Sequence, residues 1–170
     1  MQTTAKLDAV QVRAVLRELK NIDPESVKDL RKDLRSRLVP FAAQIASVVP
    51  VDPPLSGLAN NGATAWGPVA GKVGFTPGKS RRNAKNLVAI RIDPINKKRG
   101  LYIAELAGSR SAGATPQGAN LISVLNQRKP MKGRGGRFAY NQFRLLRPDI
   151  LKTAETILNV TFARINRKIN

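Results

Sequence analysis

Two residue types are missing from the 170 residues altogether: there is no Cys and no His. Their absence excludes thiol nucleophiles and disulfides, most zinc chemistry and the usual general base at neutral pH, and it leaves the redox compartment open. Acidic residues are scarce. Eleven Asp and Glu stand against 30 Lys and Arg, a formal net charge of +19. That is far beyond what solubility needs, and its self-repulsion calls for a polyanion or an acidic partner close by. Aromatics make up 5% of the chain, and Trp66, Tyr102 and Tyr140 are too scattered to form a stacking platform for bases. No stretch approaches the ~20 apolar residues that span a bilayer, so no membrane partner is expected. The opening "MQTTAKLDAVQVRAVLRELK" has no apolar run of signal-peptide type, which predicts a chain made and used in a cytosol.

The few acids are unevenly placed. Asp8, Glu18, Asp23, Glu25, Asp29 and Asp33 lie in the first 33 residues, alternating with Lys and Arg as on a solvated helical face. Beyond them only Asp52, Asp93, Glu105, Asp149 and Glu155 are negative. The strongest positive field therefore belongs to the middle and C-terminal parts.

Apolar spacing gives the organisation. Val12, Val15, Leu16 and Leu19 recur at helical spacing over about residues 7–21, and "NIDPES" then marks a break and restart, with Asp23 as N-cap and Pro24 as first helical residue. Val27, Leu30, Leu34, Leu38, Phe41, Ile45 and Val48 carry a second helix to about Val49. Pro40 should kink it or divide it near Val39. The Pro- and Gly-rich segment from Pro50 to Gly71 reads as a long ordered loop leading into "GKVGF". "NLVAIRID" has strand composition, with Val88, Ile90 and Ile92 on one face, and "LYIAEL" is its expected antiparallel partner, giving a hairpin over 86–106. After a Gly/Ser/Pro-rich stretch and a short apolar piece, "LISVL", Phe138, Tyr140, Phe143, Leu145 and Leu146 read as strand-like. A final helix from Pro148 carries a stripe of Ile150, Leu151, Ala154, Ile157, Leu158, Thr161, Phe162, Ile165 and Ile169. The expectation is a single α+β domain over 1–170: a helical N-terminal part (1–49), a β-rich part with long basic loops (50–147) and a C-terminal helix (148–170).

Little here points to catalysis. Glu105 is the only acid between Asp93 and Asp149, and with no second carboxylate or His it is better read as the ion-pair partner of a nearby arginine. The glycines of "GRGGR" lack the spacing of a phosphate-binding loop. No catalytic residue, metal ligand or cofactor is expected. Three basic loops make an electrostatic footprint suited to phosphates: Lys79, Arg81, Arg82 and Lys85; Lys97, Lys98 and Arg99; and Lys132, Arg134 and Arg137. No zinc-finger or RNA-recognition signature accompanies them, so any reading of sequence is not expected. Trp66, Phe75, Phe138 and Phe143 fit core or interface anchors.

The order of several motifs resembles the tail-completion, or neck, family of tailed bacteriophages. Members typically carry a Ser/Thr-Gly pair after the first helix, Glu-x-Gly-Thr after a strand and Phe-Leu-Arg-Pro at the start of the last helix. Ser56-Gly57 within "LSGL" matches the first, and Leu146-Arg147-Pro148 within "FRLLRPDI" matches most of the last, with Leu145 where Phe is usual. Glu105 and Gly108-Ser109 within "YIAELAGS" resemble the middle motif with one extra residue and Ser for Thr. The resemblance implies a homo-oligomeric ring subunit of the head-to-tail connector, in the virion neck or at the top of the tail, assembled in the host cytoplasm. Its partners would be neighbouring connector and tail proteins and the double-stranded genome in the channel, held without sequence specificity. Long Gly/Pro loops suit docking arms in such a ring. The rival from another class is a free-standing nucleic-acid-binding protein, ribosomal or nucleoid-like, which would bind as a monomer with a steep salt dependence.

Overall fold

In a computed structural model of the chain, residues 16, 18, 20–59, 62, 65–75, 88–95, 99–108, 113, 115–131 and 136–169 are described, Phe75 and Ile169 by their backbone only. The fold is α+β. In chain order it has helix α1 (Pro24–Ser47), a 3₁₀ turn (Ser56–Leu58), strands β1 (Val69–Phe75) and β2 (Val88–Pro94), then helices α2 (Gly100–Leu106), α3 (Pro116–Arg128) and α4 (Ala139–Ile169). The two strands form one antiparallel sheet, and the Ile95 N–H donates to the Pro68 carbonyl (2.9 Å) one step beyond it. Contacts group the chain into two compact units. The first comprises Met1–Val39, Val73–Ile90 and Ile150–Asn170, the second Pro40–Lys72 and Arg91–Asp149.

In the first unit, helical periodicity accounts for the packing. Val27, Leu30, Leu34 and Leu38 are buried along α1, and Ile150, Leu158, Thr161 and Ile165 along α4, so each helix turns one stripe inward. Burying a side chain of this size stabilises by about 1.5–3 kcal/mol. Val27 and Ile165 share one cluster, against which Leu16 and Phe162 pack. Asp23 caps α1 as expected: its carboxylate accepts from the Ser26 N–H (3.0 Å) and the Ser26 hydroxyl (2.6 Å), and Lys168 reaches the same carboxylate at 3.2 Å. These bonds hold the Asp23 carboxyl at about 2, below its ordinary 3.8, the Ser26 side chain contributing most and Lys168 adding to it. Of the first predicted helix, residues 16, 18 and 20–22 are helical, and the remainder lies outside the described residues.

Several expectations are corrected. Of the two outcomes expected at Pro40, division is excluded: α1 runs through it as one helix. Proline removes one backbone donor there, while Leu38, Ala42 and Ile45 remain buried on either side of it, and the chain passes between units at Val39/Pro40. The hairpin over 86–106 does not form: β2 pairs with β1, and "LYIAEL" is helix α2. Its buried residues Leu101, Ala104 and Glu105 fall at helical spacing, so tertiary contacts override the strand-like composition. Nor is the middle of the chain mainly β. Among the described residues of 50–147, β1 and β2 are outweighed by α2, α3 and the first part of α4. The strand-like stretch at 138–146 is the opening of α4, which begins at Ala139 with Pro148 internal. α3 starts from a cap the Gly/Ser/Pro reading passed over: Thr115 accepts from the Gly118 N–H (3.1 Å), with Pro116 as first helical residue.

Candidate functional site

The second unit is organised around a buried polar pair. Arg137 is fully buried, its exposure 0%, and Glu105 is buried beside it. One guanidinium nitrogen of Arg137 donates to the carbonyls of Ala104 (2.8 Å) and Ala107 (2.6 Å), and the other donates to Asn126 Oδ1 (2.7 Å). Those carbonyls belong to the last turn of α2 and to the residue that follows it, where helix geometry leaves acceptors without partners and favours a cation. Glu105 does the converse. Its two carboxylate oxygens accept from the backbone N–H groups of Phe138 (2.9 Å) and Tyr140 (2.9 Å), at the N-terminus of α4. The arginine thus caps the end of α2 while a glutamate of α2 caps the start of α4. Burial pushes the Arg137 guanidinium below its ordinary range, and the nearby Glu105 charge opposes that shift.

Two glycines make this arrangement possible. A side chain at Gly136 would run into the Glu105 carboxylate, and Gly108, at φ +84, sits against Ile122 with Arg137 close by. Gly136 therefore leaves room for a carboxylate rather than cradling a phosphate.

Trp66 anchors the preceding loop. Its indole N–H donates to the Pro50 carbonyl (2.9 Å), its backbone N–H donates to the Leu58 carbonyl (2.6 Å), and its ring meets Phe138 edge-on with centroids 6.2 Å apart. Arg128 donates to the Pro54 carbonyl from the end of α3. The anchor roles expected for Trp66 and Phe138 are core roles, both residues being buried; Phe143 is half-buried and stacks obliquely near Tyr140.

Outside this core the second unit opens a groove of about 550 Å³ between the end of α1, the residues after α3 and the start of α4. Val48, Phe138 and Leu145 supply its apolar part, Asn141 and Gln142 its amides, and Lys129 and Arg144 its charge. Leu145 is 73% exposed, and among the described residues no acidic side chain lines the groove. Arg137 forms part of the wall, and its Nε has no hydrogen-bond partner among the described residues. Apolar on one side, with a few amides and cations on the other, such a groove is built to bind.

The predicted site residues divide three ways. Lys79, Arg81, Arg82, Lys85, Lys97, Lys98, Lys132 and Arg134 lie outside the described residues, as does Ser109. Arg99 is exposed just before α2. Arg137 is not part of a basic arm: the carbonyl ends of α2 draw it into the core. Among the described residues Glu105 likewise makes no ion pair with an arginine within 4 Å; backbone N–H groups take its oxygens, and Arg137 acts on it as a nearby charge. Of the motif positions, Glu105 and Gly108 meet at the buried pair. Ser56 and Gly57 are exposed in the 3₁₀ turn, while Arg147 and Pro148 are exposed inside α4 and Leu146 is half-buried there. Asn126 and Gly136 were not foreseen. The signal that could have found them was the isolation of Glu105, a lone acid that a basic chain must hold by some specific contact.

No protein-family model, no curated protein and no solved structure matches this chain.

Proposed function

We propose that this chain is a non-enzymatic structural subunit of a bacteriophage head-to-tail connector or tail-completion ring through which genomic DNA passes. The observation that carries the reading is the charge balance of the second unit. Its acids are Asp52, Asp93, Glu105 and Asp149. Glu105 is engaged in capping α4, and Asp93 pairs with Lys72 at 3.7 Å. Against them stand the exposed cations Arg91, Arg99, Arg128, Lys129 and Arg147. A surface so weakly compensated favours a polyanion alongside it, contacted through phosphates rather than base edges. The motif order supports the choice of a connector over other polyanion binders, and the link from Glu105 to α4 joins the middle motif to the helix that bears the last one.

The test is the mass of the purified protein in solution across salt concentration, with and without duplex DNA, measured by light scattering. A largely monomeric protein with feeble DNA affinity, or a closed oligomer of fixed size, is the expected result. Tight monomeric binding that collapses with salt overturns it in favour of a free-standing nucleic-acid-binding protein.

A further inference from the structure

α1 carries a feature that the fold does not use. Glu25, Asp29 and Asp33 stand four residues apart, all exposed, so they line one face of the helix over about 12 Å of its axis. Like charges at this spacing repel one another. Lys28, Lys32 and Arg37 flank them, yet none of the three acids makes an ion pair within 4 Å among the described residues, where the pairs are Lys72 with Asp93 and Lys168 with Asp23. In a chain of net charge +19, this is a rare line of exposed carboxylates.

The groove of the second unit has the complementary chemistry. Lys129 gives it positive charge, no acid lines it among the described residues, Asn141 and Gln142 offer amide donors, and Leu145 and Val48 give it an apolar lip. We infer that the groove bounded by Lys129, Arg144 and Leu145 receives the Glu25–Asp29–Asp33 face of α1 from a second copy of this chain. The contact joins two different patches, so the copy that gives its groove keeps its stripe free and the copy that gives its stripe keeps its groove free, which is the condition for a closing ring. The inference rests on the ring reading above and names the surfaces that would make its joints. Carboxylates meeting cations at a solvent-exposed rim give an attraction that salt screens.

The experiment is sedimentation of the full chain over a range of concentrations at low and high salt, for wild type, Lys129→Glu, Asp29→Lys with Asp33→Lys, and all three changes together. These side chains are exposed, and unchanged circular dichroism and melting establish that each variant is folded. Asp52→Lys with Glu155→Lys, also exposed, controls for net charge alone. Wild type is expected to associate reversibly and less so in high salt. Each one-sided reversal should weaken association about tenfold or more, the combined variant should recover it, and the control should not mimic the loss.

Wild-type association that ignores the reversals overturns this interface and leaves the ring reading standing. Loss on both sides without recovery in the combined variant overturns the pairing of these two surfaces. A wild-type monomer at every concentration overturns this interface, while the ring reading, which admits a monomer of feeble DNA affinity, stands. If Lys129→Glu leaves self-association intact and instead lowers affinity for a random-sequence duplex, the groove belongs to DNA and the inference fails.

Discussion

The two units are held together by different physics. In the first, two long helices each bury a stripe spaced three or four residues apart, and the side-chain polar contacts are mostly local ones, as at the Asp23 cap. In the second, apolar burial by Leu58, Trp66, Leu101, Leu125 and Phe138 surrounds a buried arginine and glutamate, which cap two helices reciprocally. The first kind of core tolerates changes of shape at modest cost. The second fails when any one member is removed, because the remaining groups are left buried without partners.

The largest expected effect tests the apolar side. Leu158→Asp places a carboxylate where α4 is buried, at a cost of about 5 kcal/mol or more, and the cooperative melting transition should be lost or reduced to a residual one. A normal transition would show that the stripe of α4 is not core. Next comes Arg137→Met, similar in length but uncharged. It strips the donors from Ala104, Ala107 and Asn126 and leaves the Glu105 charge unbalanced, a loss of about 3–5 kcal/mol by urea titration. The combination of Arg137→Met with Glu105→Gln sharpens the comparison. Because the two residues act as one network, the double variant should lose clearly less than the two single losses combined. Simple additivity would mean that the two caps are independent and that the second unit is no more cooperative than the first.

What could be read in advance divides along the same line. Val27, Leu30, Leu34 and Leu38, and the Ile150–Leu158–Ile165 stripe, are visible because local spacing alone specifies which face is buried. So is the Asp23-Pro24 start of α1, which needs only neighbouring residues. The second unit depends on contacts across 33 residues, Arg137 to Ala104 and Glu105 to Phe138, and no periodicity records them. That is why "LYIAEL" reads as a strand and is a helix, and why Arg137 reads as part of an exposed arm and is buried. Within a run such as "GRGGR", composition alone cannot tell which cation faces solvent and which is drawn in by carbonyl groups. Even the continuation of α4 through Pro148 follows from what the flanking turns bury, with Ile150 inward just beyond the proline.

A smaller effect separates the glycine of the polar pair from its charges. Gly136→Ala should crowd the Glu105 carboxylate off the α4 terminus and cost about 1–3 kcal/mol, with the loss appearing in the melting temperature. If Gly136→Ala were neutral, the carboxylate would have room to shift, and the cap would be looser than the bond lengths indicate.

The smallest effect falls at the polar end of the apolar unit and is best seen through pH. The Asp23 carboxyl sits at about 2 when folded, below its ordinary 3.8, because Ser26 and Lys168 favour its charged form. A depressed folded value means that its contribution to stability is complete above about pH 3.8 and is lost as pH falls through about 2. Asp23→Asn keeps a side chain able to cap α1, so stability near neutrality should change little. The variant has no carboxylate to protonate, and its urea midpoint should therefore fall less steeply than that of wild type between about pH 4 and 2. Parallel acid limbs would mean that the capped carboxylate adds nothing to the first unit beyond its hydrogen-bonding shape, and that its stability rests on the apolar stripes alone.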